Sequence, residues 1–210
     1  MSEQGDTGLH HLRESLREKI SPKRFAHILG VEQTVARMAE LYCPEKRELL
    51  CAAALLHDCT KEYDEQQTKA VLAREGVRLR PDEKESPQIW HAITAPLEIP
   101  RFYPAFADAE LLSMVRWHTT GHTGMTLPEA LLYLADVIEP TRDYPTCVAL
   151  RERFWGADLT AMTHEERAAH LCDVLRSSMT GVRESLMARG LPVCEETLCA
   201  IEYLKKKTHL

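Results

Sequence analysis

No stretch of this 210-residue sequence approaches the ~20 consecutive apolar residues that a helical membrane span requires, so a membrane protein is not expected. Met1–Gly8 is polar and acidic and carries no apolar h-region; no secretory signal is read there, and the expected location is the cytoplasm. The seven cysteines (Cys43, Cys51, Cys59, Cys147, Cys172, Cys194 and Cys199) form an odd set without any Cys-x-x-Cys pair. That spacing argues against both a disulfide frame and a structural zinc knuckle. Alternating β-branched runs, internal repeats and low-complexity tracts are missing, as is any Gly-rich phosphate loop. Nor does a basic block stand out: 26 Lys+Arg against 32 Asp+Glu leave a net charge of −6, a poor surface for nucleic acid. A small anionic substrate needs only a few cations in one pocket and stays open.

What the sequence does contain is helical patterning, with 44% hydrophobic and 28% charged residues in the globular range. One all-α domain spanning residues 1–210 is expected. From Pro22 to Tyr42, apolar positions Ile28, Val31, Val35, Met38 and Tyr42 step by three and four, with His27 on the same face. The segment Glu45–Asp58 is apolar on every side between Leu49 and Leu56, which places it in the middle of a bundle. Further helices are expected near Asp64–Glu75, Ile89–Ala95, Ala107–His118, Pro128–Ile138, Thr163–Arg189 and Glu195–Lys206. Arg78–Pro87 reads as a loop. The Ile89 helix is expected to stop before Pro96, because proline disfavours helical geometry in its predecessor. Pro96–Pro104 then reads as an irregular connection and Thr119–Thr126 as a turn.

Against that apolar background a few polar residues stand out. His57 and Asp58 end the most apolar helix, Asp136 follows the run Ala130–Ala135, and His27 lies on a core face. Burying an ionised aspartate is costly unless it is paired or bound to metal. Singly, each has an ordinary explanation, since a histidine on an apolar face is usually a hydrogen-bonded core residue and Asp136 has Arg142 nearby. Jointly, three apolar helices deliver two imidazoles and two carboxylates, a donor set suited to Fe, Mn, Co, Ni or Zn. His91 and His118 could complete a second metal site or contact phosphate. Lys61, three residues after Asp58, could set an ammonium beside a bound phosphate.

The ordered set His27, His57-Asp58, Asp136 resembles the HD-domain superfamily of metal-dependent phosphohydrolases. The segments Arg24–His27, Leu56-His57-Asp58-Cys59-Thr60-Lys61, Trp90-His91-Ala92, Arg116–Gly121, Gly124–Leu127 and Ala135–Arg142 are together similar to the bacterial YqeK family. Its members are symmetrical bis(5'-nucleosyl)-tetraphosphatases that split diadenosine tetraphosphate into two ADP. The motif resemblance covers about residues 22–145, with C-terminal helices expected to pack on that core. It implies an HD-domain helical bundle in which His27, His57, Asp58 and Asp136 hold a divalent metal, iron first among the choices. It further implies Asp58 and Lys61 in catalysis. Arg24, His27, Asp58, His91, His118, Thr119, Asp136 and Arg142 would bind the substrate, and a metal-activated water would attack phosphorus. Two segments depart from the pattern: Gly121-His122-Thr123-Gly124 lacks an expected Arg-Pro pair, and Pro96–Pro104 is unlike the helix usual there. Competing readings are an HD phosphohydrolase of other nucleotides or alarmones, a non-catalytic nucleotide-binding module, and a purely structural bundle. The sequence leaves the oligomeric state open.

Overall fold

In the computed structural model, which describes residues 3–207, the chain is all-helical. Its α-helices run in the order α1 (Glu3–Lys19), α2 (Pro22–Tyr42), α3 (Arg47–Leu56), α4 (Glu65–Arg74), α5 (Pro81–Lys84) and α6 (Trp90–Phe102). They continue with α7 (Ala109–Trp117), α8 (Leu127–Ile138), α9 (Pro145–Trp155), α10 (His164–Ala188) and α11 (Glu195–Lys205). Among the described residues there is no strand, and no helix is long and apolar enough to cross a membrane.

Local chemistry sets the helix starts. Ser21 caps α2 by accepting the Arg24 N–H at 3.2 Å, with Pro22 in the first turn where its missing N–H costs nothing. Thr126 caps α8, and Glu129 returns a carboxylate to the Thr126 N–H at 2.7 Å, closing a reciprocal box. The same device, Thr163 with Glu166, opens α10.

The centre of the bundle is α3, which packs against α1, α2, α7 and α8. All of its residues from Leu50 to Leu56 are buried, as its all-round apolar sequence demands. Leu9, Leu12 and Leu16 of α1 close one side of this core. The neighbouring α8 divides its side chains between two cores. Leu131, Leu132, Leu134 and Ile138 face the α3 core, whereas Ala130 and Tyr133 meet Leu175 and Met179 of α10 and Ile201 and Leu204 of α11. The C-terminal helices therefore pack on the second face of α8.

Four elements depart from the sequence expectation. The helix expected to stop before Pro96 instead continues to Phe102 with Pro96 and Pro100 inside it. Each proline removes one backbone hydrogen bond, but Ala92, Ala95 and Ile99 are fully buried and hold the segment in place. A four-residue helix, α5, lies within the expected Arg78–Pro87 loop. Two helices, α1 and α9, have no counterpart in the sequence reading. Residues 1 and 2 of the polar stretch Met1–Gly8 lie outside the described residues, and from Glu3 the chain is helical.

Candidate metal centre

The polar residues singled out in the sequence converge at one end of the bundle. α2 contributes Arg24 and His27, the end of α3 contributes His57 and Asp58, and α6 contributes His91. His118 and Thr119 follow α7, Asp136 sits in the last turn of α8, and Arg142 lies in the connection to α9. Adjacent helical residues point about 100° apart; only because α3 ends at Leu56 can His57 and Asp58 both face the same point.

Two overlapping groups have ligand atoms close enough to share a cation, His27–His57–Asp136 and His57–Asp58–His118. In the first, His27 Nε2 lies 3.0 Å from Asp136 Oδ1; Asp58 of the second group adjoins it, with Oδ2 3.7 Å from His27 Nε2. His57 Nε2 lies 3.6 Å from Asp58 Oδ2 and 3.8 Å from Asp136 Oδ1. Ligands each ~2.1 Å from one ion stand roughly 3.0–3.5 Å apart, so these spacings need little adjustment.

The hydrogen bonds around the rings decide which nitrogens are available. His57 Nδ1 is 2.6 Å from the Ala54 carbonyl and His118 Nδ1 is 2.7 Å from that of Val115. A carbonyl can only accept, so in both rings Nδ1 carries the proton, and in the neutral ring Nε2 presents a lone pair to the centre. His27 Nδ1 lies 3.0 Å from Glu139 Oε1, the carboxylate–histidine arrangement that orients metal-binding imidazoles. The Nε2 atoms of His27 and His57 are buried; that of His57 has no hydrogen-bond partner, and that of His27 faces only the Asp136 carboxylate within hydrogen-bond distance, at 3.0 Å. His57 is 0% exposed, so water does not satisfy it either. Buried polar atoms without partners are rare in folded proteins, and a divalent cation is the group this donor set fits.

The second group is better satisfied internally. His118 Nε2 has Thr119 Oγ1 at 2.9 Å and His91 Nε2 at 3.1 Å. His91 Nδ1 accepts from Lys61 Nζ at 3.1 Å, and Lys61 also donates to the Gln88 carbonyl at 3.3 Å. Thr60 ties this turn to α6 through the His91 carbonyl at 3.1 Å and the Thr94 hydroxyl at 2.8 Å.

Charge within the site is balanced by cations from two sides. Arg24 Nη1 pairs with Asp58 Oδ2, and Arg142 holds Asp136 through Nη2–Oδ1 at 2.6 Å and its own Nε to the Asp136 carbonyl at 3.0 Å. Burial alone would raise both aspartates, but the surrounding imidazoles and Arg142 hold them well below the usual carboxylate range. Burial pushes His57 down to about 4, keeping it neutral and available as a ligand. For His27, burial also acts downward, but hydrogen bonds to Asp136 and Glu139 outweigh it and raise the metal-free ring to about 9. Lys61 is lowered, mainly by burial.

Glu139 received no role from the sequence. It is 0% exposed, accepts from Thr141 N–H and Thr141 Oγ1 at 2.6 Å, and packs onto Gly30, where any Cβ would collide with its Oε2. The signal for it lay in the Glu139-Pro140-Thr141 run directly after α8, which reads as an ordinary polar turn. His122 of the departing glycine loop does not enter the site; it bonds Glu129 Oε2 at 3.0 Å and packs against Trp117. Gly121 and Gly124, at φ 62° and 77°, supply the left-handed turns of that loop.

A family model for the HD domain matches residues 24–176 of the chain. A symmetrical bis(5'-nucleosyl)-tetraphosphatase of Bacillus subtilis is 28% identical over 189 residues, 90% of this chain and 93% of the relative. The protein of the same name from Staphylococcus aureus is 30% identical over 136 residues, covering 65% and 69% of the two chains. Among solved structures, an HD superfamily hydrolase from Clostridium acetobutylicum, described as involved in NAD metabolism, superposes with a TM-score of 0.79. It is 25% identical, over 93% of this chain and 96% of that one.

Proposed function

Because the chain belongs to the HD-domain family, among relatives named symmetrical bis(5'-nucleosyl)-tetraphosphatases, we propose that it hydrolyses diadenosine tetraphosphate to two ADP. His27, His57, Asp58 and Asp136 would hold one divalent ion, iron or manganese by donor type. Bound there, such an ion supplies an acidified water and a Lewis acid for phosphoryl oxygens. The observation that carries this reading is the buried, partnerless Nε2 of His57, with His27 Nε2 and the carboxylates of Asp58 and Asp136 gathered around it. In the second group, His118 Nε2 is already met by the Thr119 hydroxyl and the His91 ring, which supports one ion rather than two.

The chain's own residues would do the remaining work. Arg24 and Arg142 already hold the two aspartates and can each turn part of a guanidinium to phosphate oxygens, spreading positive charge along the polyphosphate. Lys61 Nζ, fixed by His91 and the Gln88 carbonyl, places a donor where charge develops on the departing diphosphate. His118 and Thr119 offer a ring nitrogen and a hydroxyl on the same side. Asp58, gripped by Arg24, orients the cluster as a ligand.

Purified protein with Fe(II) or Mn(II) is expected to convert diadenosine tetraphosphate to ADP alone, followed by chromatography. AMP plus ATP as products would reject symmetrical cleavage. Preferential turnover of mononucleotides or alarmones would move the protein to another HD activity. Asp58→Ala is expected to abolish turnover and lower the bound metal together.

A further inference from the structure

A lysine is a flexible four-carbon stem with three rotatable donors, so its ammonium keeps one place only where the surroundings fix it. Lys61 has room to move: a cavity of about 320 Å³ lies beside it, walled in part by Thr60, Gln88, Trp90 and His91. Two of its three N–H bonds are nonetheless committed, to the Gln88 carbonyl at 3.3 Å and to His91 Nδ1 at 3.1 Å, which leaves one for a substrate oxygen. Both acceptors belong to another part of the chain, the stretch that leads into α6 and its first turn. The amine is therefore placed only as well as the turn after α3 is held against α6.

Thr60 makes that join. It is buried, donates its Oγ1 proton to the His91 carbonyl at 3.1 Å, and accepts from the equally buried Thr94 Oγ1 at 2.8 Å. The two hydroxyls thus satisfy each other and α6 away from water. Within its own turn Thr60 sits between two further bonds: the Lys61 N–H donates to the Asp58 carbonyl at 2.9 Å, and the Tyr63 N–H to the Thr60 carbonyl at 3.1 Å. A shift of Thr60 carries Lys61 with it. Filling space does not call for a hydroxyl here, since valine would occupy the same volume; reaching a carbonyl does. Nor can α6 hold its first turn by stiffness alone, because Pro96 and Pro100 interrupt its hydrogen-bond ladder.

We propose that Thr60 is the positioning residue for Lys61, its buried hydroxyl fixing the turn after α3 to the first turn of α6 so that the amine stays against His91 with one N–H left for a phosphate oxygen. This rests on the phosphohydrolase reading above, in which Lys61 meets the departing diphosphate, and adds what keeps it there. Both side-chain bonds of Thr60 run to α6, so it acts through Lys61 and not on the substrate. Without the hydroxyl the turn and α6 are no longer tied, the Gln88 carbonyl and His91 ring drift from the amine, and the side chain can swing into the cavity. A misplacement of ~1 Å in such a group can cost up to ~100-fold.

The test is a double-variant cycle on the calorimetric binding of inorganic pyrophosphate to the Mn(II)-loaded protein. Thr60→Val is expected to weaken pyrophosphate about fivefold to tenfold with manganese content unchanged. Thr60→Ser keeps the hydroxyl and should stay within about twofold of the wild type. Lys61→Met alone should lose at least as much as Thr60→Val, and adding Thr60→Val to it should change nothing further, because residues that act as a unit are not additive. Thr60→Val with Thr94→Val removes both hydroxyls together and leaves neither unpaired, so it keeps the fold should the single variant not, and the same loss is expected from it. Undiminished affinity in the valine variants, equal losses in Thr60→Ser and Thr60→Val, or an independent further loss in the Lys61→Met background would each overturn the role of Thr60. Diadenosine tetraphosphate left intact by the wild type would instead discard the proposed reaction, while the cycle, which needs no turnover, still decides between the outcomes for Thr60.

Discussion

At the scale of single residues, the aim of His27 is set by Glu139, and Glu139 by the bare backbone of Gly30. In Gly30→Ala the new methyl group must push the Glu139 carboxylate away, removing the acceptor of His27 Nδ1. Losing such an outer partner typically costs ~10–100-fold in metal affinity or activity. The variant should therefore bind Mn(II) at least ten times more weakly while its helix content, measured by circular dichroism, stays the same. Equal affinity would show that Glu139 only fills space. His27 also sets a pH dependence. Its folded, metal-free value of about 9 lies above the ordinary 6.5, so the charged ring stabilises the metal-free fold fully below pH 6.5. That contribution fades as pH rises through 9. Metal binding needs the same nitrogen without its proton, so Mn(II) affinity should climb roughly tenfold per pH unit up to about pH 9 and then level off. Titrations in buffers of different ionisation enthalpy would reveal the released proton. A flat response between pH 7 and 9 would contradict it.

Among the elements, α6 is where local and tertiary preferences disagree. Pro96 lies in the helix interior and leaves the Ala92 carbonyl without its N–H. Pro96→Ala restores that bond, and although it loosens the unfolded chain, a net gain of about 1–2 kcal/mol in urea unfolding is expected. A loss would mean that the half-buried ring matters more for packing than for the backbone. The same helix shows why the fold was only partly legible. Proline chemistry read one residue at a time predicts a stop, and only the buried Ala95 and Ile99 reveal why the helix continues. α2, α3, α8 and α10 were legible because each repeats a buried stripe or is apolar all round. α9 was not: Phe154 is its only fully anchored side chain, and one anchor has no period. α1 does carry Leu9, Leu12 and Leu16 at helical spacing, but its polar opening masks them. The site follows the same logic. His27, His57, Asp58 and Asp136 were visible because they interrupt apolar helices, whereas Glu139 lies just past a helix end, where a carboxylate is unremarkable.

For the whole molecule, the cluster is a junction on which α2, the end of α3, α6, the end of α7 and α8 all depend. Its anionic members, Asp58, Asp136 and Glu139, are opposed by Arg24, Arg142 and a proton on His27 when no ion is bound. An ion that binds this folded arrangement and not the open chain stabilises by mass action, about 2.7 kcal/mol at one hundred times its dissociation constant. For a chain of ~200 residues each kcal/mol moves the midpoint by about 2–4 °C, so a chelator should lower the unfolding temperature by roughly 5–10 °C. Scanning calorimetry with EDTA, and then with Mn(II) restored, checks this directly. The shift should be absent in Asp136→Ala, which loses a ligand from the first group, and should survive in His91→Ala, which belongs to neither. Should chelation leave the wild-type midpoint unmoved, the imidazoles and carboxylates would be pairing with one another. The bundle would then need no ion to hold its five contributing elements together.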